Sequence, residues 1–176
     1  NLESTLKFLC DGKIKLNGEN IHIQPHSWGL TVLLHNFFDD FDLDEINQSK
    51  SEIREIISLK IQDRDDEVDI KINQLKNVKS KQFIHNIFDC KINDKISNEI
   101  SRVLAKQKQF IEMMSPKYWS EKIDSKVFIM HGSNDSMVPY TESINLHKYI
   151  KNSSLFISYM YEHKEISTNR GILFKL

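Results

Sequence analysis

The sequence is poor in the residues that staple, bend or simplify a chain. Cysteine occurs twice, as Cys10 and Cys90, far apart and with no C-x-x-C or flanking histidine pattern, which excludes a disulfide framework and a zinc site and leaves two ordinary reduced thiols. Proline occurs three times and glycine five, with no glycine anywhere between residues 44 and 114, so that stretch carries none of the usual loop punctuation. Alanine is represented by Ala105 alone; with abundant Ile, Asn and Lys this reads as an AT-rich codon bias without functional content. Excess charge of one sign is also missing. The 24 basic and 25 acidic side chains give a formal charge of -1, which offers no electrostatic grip on nucleic acid or anionic lipid. No run approaches the roughly 18 apolar residues of a transmembrane helix.

What is present is an ordinary globular composition, 39% hydrophobic and 28% charged. At 176 residues the chain can bury one sizeable core. Residues 13–24 alternate with period two on both sides of Asn17-Gly18-Glu19-Asn20, the pattern of a β-hairpin. After Pro25 the period lengthens: Leu30, Leu33, Leu34, Phe37, Phe38 and Phe41 lie on one face of a helix, with Ser27 as its expected N-cap. From Asp44 to about Met114 the periodicity is helical throughout. Ile53, Ile56, Ile57 and Ile61 mark one helix, Leu75 to Phe88 one or two more, and Ile96 to Ile111 a long last one ending at Ser115-Pro116. The acidic run from Asp63 to Glu67 reads as a solvated helix end or turn.

At Lys126 the pattern changes again. Residues 126–130 form a short, nearly continuous apolar run, residues 140–150 a helix, and residues 155–160 a second strand, with a tail from Lys164 to Leu176. Strand, helix, strand is the βαβ unit of a parallel sheet, and such sheets carry their chemistry in the loops at the carboxyl ends of the strands. Two loops qualify. His131-Gly132-Ser133-Asn134-Asp135-Ser136-Met137-Val138-Pro139 follows the first strand and supplies Asp135; Tyr161-Glu162-His163-Lys164-Glu165 follows the second and supplies His163.

The run Val127 to Pro139 resembles the α/β-hydrolase pattern of an apolar strand, His-Gly, two variable residues, Asp, two more, and Val-Pro. The resemblance implies that Asp135 orients a catalytic histidine about one βαβ crossover later. His163, 28 positions on, stands at that separation, although Glu162 occupies the place where the family carries a glycine. In such a pair the carboxylate fixes the imidazole tautomer and stabilises the imidazolium, and the other ring nitrogen takes and returns the proton of a nucleophile. His131 belongs to the strand-end motif and is expected to be structural at the mouth of the site. His22, His26, His35, His85 and His147 share no spacing that would bind a metal. No cofactor is indicated.

A nucleophile elbow, G-x-S-x-G, is absent. Gly12, Gly18, Gly29, Gly132 and Gly171 include no two that are four positions apart, and Ser133 and Ser136 lie in the acid loop rather than on a strand-to-helix turn. The resemblance therefore implies an α/β fold of a particular kind: the C-terminal portion of an α/β-hydrolase sheet with a large all-helical cap or lid. Residues 1–26 would be a hairpin extension, 27–114 the cap, and 115–176 the end of the core. The expected function is that of a hydrolase of esterase, lipase or thioesterase type whose nucleophile lies upstream, this chain being inactive by itself. An acyl or otherwise hydrophobic substrate is expected from the apolar inner face of the cap. The alternative is a non-catalytic binding or interaction module on the same fold. A sheet edge left open implies a partner, either the missing N-terminal half or a symmetry mate. The start at Asn1 leaves room for a leader or a further segment, so the compartment is weakly constrained, with the cytoplasm favoured.

Overall fold

The computed structural model describes residues 2–160. They fall into two units: one formed by residues 2–25 together with 108–160, the other by residues 26–107.

The first unit opens with helix α1 (Leu2–Asp11), which buries Leu6, Phe8 and Leu9. It stops at Gly12, whose amide bonds back to the Phe8 carbonyl at 2.7 Å and whose φ of +66° is left-handed. A β-carbon there would lie 2.5 Å from the Ile23 carbonyl oxygen, so the position requires glycine for conformation and for space. This helix precedes the hairpin within residues 1–26; the spacing of Leu2, Leu6 and Leu9 and the terminating glycine supply its physical reason. The hairpin follows as expected. Strand β1 (Lys13–Leu16) pairs antiparallel with β2 (Glu19–His22), Leu16 opposite Glu19, leaving Asn17-Gly18 as a two-residue turn with positive φ at both positions.

The second unit is all helical. Helix α2 (Ser27–Phe37) buries Leu30, Thr31, Leu33 and Leu34. Its N-cap is His26 rather than Ser27: the His26 Nδ1 accepts the Trp28 amide at 3.1 Å. Short α3 (Asp44–Asn47) leads to α4 (Lys50–Ile61), whose Ile53, Ile56 and Ile57 are fully buried, and then to α5 (Asp65–Gln74). Helices α6 (Val78–Phe88) and α7 (Asp94–Lys106) both start on asparagine caps: Asn77 accepts the Ser80 amide and Asn93 the Ile96 amide, each at 2.9 Å. The asparagine oxygens satisfy amides that have no partner within the helix.

The long last helix expected from Ile96 to Ile111 is two helices. α7 ends at Lys106 with Gln107 as its C-cap, and α8 (Lys108–Met114) begins after it, back in the first unit. The apolar period runs across the break, which is why it does not show in the pattern. Lys106 and Gln107 both bind the Asp40 carboxylate, each at 2.6 Å, and so tie the end of α7 to the helical unit.

Two 3-10 turns, Pro116–Tyr118 and Ser120–Lys122, lead to the parallel pair. Strand β3 (Val127–Gly132) and β4 (Ser153–Ser158) run in register from Val127 opposite Ser153 to Gly132 opposite Ser158, joined by α9 (Thr141–Tyr149), which packs on both strands. Side chains alternate across the sheet. On one face Val127, Ile129, His131, Leu155 and Ile157 are half-buried; on the other Phe128, Met130 and Phe156 are 75%, 64% and 60% exposed. No helix among the described residues is long and apolar enough to cross a membrane.

Candidate active site

The carboxyl end of β3 runs straight into the loop that carries Asp135. The strand ladder continues one residue past the strand, the Ser133 amide donating to the Ser158 carbonyl at 2.8 Å, and then the chain folds back through an Asp135 amide bond to Gly132. Asp135 is 6% exposed. Its Oδ1 accepts two backbone amides, those of Met137 and Val138, both at 2.8 Å, so the side chain closes the turn that it sits in. A carboxylate that accepts two amides is held in one rotamer and has its charge dispersed.

The other oxygen, Oδ2, lies 3.3 Å from Nε2 of His131. That nitrogen also lies 2.9 Å from the Val138 carbonyl, and Nδ1 lies 2.6 Å from the Ser143 hydroxyl on α9. A carbonyl can only accept, so Nε2 carries a proton, and in the neutral ring Nδ1 accepts the Ser143 hydroxyl. Burial works against charging this ring, but the Asp135 hydrogen bond, the Val138 carbonyl and the charges of Asp135 and Glu142 together outweigh it and raise the pKa above the ordinary 6.5.

Ser143, His131 and Asp135 thus form a hydrogen-bonded series, yet the serine sits within the first turn of α9 and its amide is taken by the Tyr140 carbonyl. This is the geometry of a brace between strand, loop and helix. The motif alone places His131 at the strand end and does not show these contacts. The i, i+4 spacing to Asp135 is a visible signal, whereas the Ser143 contact depends on the fold of the crossover.

Ser133 is buried, and its hydroxyl has no hydrogen-bond partner among the described residues. Ser136 is half-buried in the same loop. His163, the other half of the expected pair, lies outside the described residues. Among the described residues no group of three or more His, Cys, Asp or Glu is placed to hold a metal ion.

A cleft of about 620 Å³ runs beside the brace, lined among others by Ser4, Met114, Lys117, Val138, Glu142 and Tyr149. The Ser4 hydroxyl donates to the Glu142 carboxylate at its rim. In the helical unit a wider, open depression of about 990 Å³ follows α4. Its charges are matched in surface pairs, Arg54 with Asp39, Arg64 with Glu67 and Glu55 with Lys71, so it is a solvated helix face.

Comparison with protein families gives a match to BD-FAE, a family of esterase-like domains with the α/β-hydrolase fold, over residues 44–150. The matched segment exceeds half of the chain and includes β3, the Asp135 loop and α9. The chain belongs to the BD-FAE family. No curated protein and no solved structure matches it. The BD-FAE match agrees with the α/β-hydrolase resemblance of the run from Val127 to Pro139 and gives the chain an esterase-like fold.

Proposed function

We propose that this chain is the acid-and-histidine portion of a carboxylic ester hydrolase, with Asp135 as the orienting acid, His163 as the general base and then acid, and a nucleophile on a segment upstream. The observation that carries the reading is the state of Asp135: a buried carboxylate at the carboxyl end of a parallel strand, fixed by the amides of Met137 and Val138. A carboxylate so held can set the tautomer of a histidine and stabilise the imidazolium that forms when a hydroxyl or thiol gives up its proton.

The need for a further segment is supported by the parallel pair. Parallel sheets are covered on both faces, and here Phe128, Met130 and Phe156 present an apolar face to solvent. In this reading the helical residues 27–114 are the cap inserted before the acid strand, and their apolar interior favours an acyl or otherwise hydrophobic substrate.

The test joins this chain to its upstream sequence. If the nucleophile is a serine, a fluorophosphonate probe labels the joined protein, and Asp135→Asn lowers kcat by about 10⁴-fold while the protein stays folded. A joined protein that is folded, unlabelled and inert toward p-nitrophenyl esters overturns the serine esterase reading.

A further inference from the structure

His131 touches three parts of the site at once. It leaves the end of β3, its Nε2 reaches both the Val138 carbonyl and the Asp135 carboxylate, and its Nδ1 reaches Ser143 on α9. Asp135 in turn holds the amides of Met137 and Val138. The imidazole and the carboxylate therefore grip the same residue, Val138, from opposite sides of its peptide units: the ring takes the carbonyl and the carboxylate takes the amide. Removing the ring would leave the Val138 carbonyl and the Ser143 hydroxyl to find other partners and would let the turn swing on Asp135 alone. At 11% side-chain exposure, water cannot readily take the place of the ring.

We infer that His131 is a positioning residue for Asp135, holding the acid loop closed between the end of β3 and the start of α9 so that the carboxylate has one orientation. The inference rests on the proposed role of Asp135 for its consequence in catalysis, but not for its geometry. A ring that fixes the acid changes how well the second histidine is oriented in the transition state. In this role the ring acts through Asp135 rather than on the substrate, so its loss falls on kcat with KM little changed.

The geometry also predicts which substitution rescues. Glutamine places an amide N–H near the position of the imidazole Nε2 and can keep the bond to the Val138 carbonyl; alanine cannot. The Ser143→Ala variant removes only the Nδ1 partner and should show a smaller effect in the same direction.

Two measurements test this. The first is amide hydrogen exchange in the 176-residue chain. In His131→Ala the Met137 and Val138 amides should exchange at least about tenfold faster, while the Val127 amide, bonded to the Asn152 carbonyl at the far end of the pair, keeps its rate; His131→Gln should return the loop amides to within about threefold of wild type. The second is ester hydrolysis by the joined protein, where His131→Ala should lower kcat about ten- to a hundredfold at unchanged KM, with His131→Gln recovering most of it. Unchanged loop exchange in His131→Ala, equal acceleration at Val127, or no rescue by glutamine overturns the positioning role. A joined protein with no esterase activity overturns the hydrolase reading and leaves the exchange measurement to decide the role of His131.

Discussion

Met130 and Phe156 stand opposite each other in the parallel pair, and both side chains project from the face that α9 does not cover. With Phe128 they make a contiguous apolar patch on a sheet that has two strands among the described residues. A patch of this kind drives association. Sedimentation of the 176-residue chain should therefore show self-association that rises with concentration, and Phe128→Lys with Met130→Lys should shift it toward monomer. Because both side chains are exposed, the pair of substitutions should change unfolding free energy by no more than about 0.5 kcal/mol each. A wild-type chain that sediments as a compact monomer at every concentration removes the case for a covering partner.

The contrast between this face and the other was visible only in part beforehand. Alternation along residues 126–130 is masked because nearly every position is apolar, so the run reads as a strand buried on both sides, and one buried face cannot be told from two. The hairpin was legible because Asn17-Gly18 demands left-handed backbone at both positions, and the structure supplies it. The place of Asp135, in the loop that follows a parallel strand, could be read from its motif. The His131 grip on Val138 was not, since a ring nitrogen bonded to a carbonyl seven residues away follows from the path of the loop, which no periodicity records. The break at Gln107 was hidden for the opposite reason: the helical period continues through it, and the tether to Asp40 is long-range.

Glu99 on α7 offers a stability prediction with a definite pH sign. It is nearly buried, accepts the Asp42 amide and pairs through both oxygens with Arg102. The Arg102 hydrogen bonds hold its carboxyl below the ordinary 4.5. A lowered folded value means that the contribution is present above about 4.5 and is lost as pH falls through the depressed value. Arg102 is about half exposed, so solvent screening trims the ionic share and the Asp42 amide bond carries more of it. Glu99→Ala should cost about 1–3 kcal/mol at pH 7 by urea unfolding, with the gap to wild type narrowing at acid pH. A gap that widens on acidification contradicts the assignment.

His131 has the opposite sign. Its folded pKa lies above 6.5 because Asp135, the Val138 carbonyl and Glu142 favour the charged ring despite its burial. The stabilisation from charging is full below about 6.5 and disappears as pH rises through the raised folded value. An NMR titration of the His131 ring should place its midpoint above 6.5, and His131→Gln should flatten the dependence of unfolding free energy on pH above about 6.5. The two readouts must agree: a raised midpoint with no change in the stability profile would mean that the unfolded chain shares the perturbation.

Ser133 separates the chain as it stands from the larger hydrolase proposed for it. Its hydroxyl is buried beside Asp135 without a partner among the described residues, an arrangement that costs about 1–3 kcal/mol when nothing else supplies one. Replacing it by alanine removes the polar atom and leaves the β-carbon in place, so Ser133→Ala in the 176-residue chain should be neutral or stabilising by up to about 1 kcal/mol. In the joined protein a segment that covers this end of the sheet can bring a donor or acceptor to the hydroxyl. The same substitution should then cost about 0.5–1.5 kcal/mol, the net worth of one hydrogen bond. Thermal or urea unfolding of the two variants in the two contexts reads the difference directly. A neutral or stabilising effect in both would mean that the joined segment brings the Ser133 hydroxyl no partner, and would remove Ser133 from the proposed contact surface.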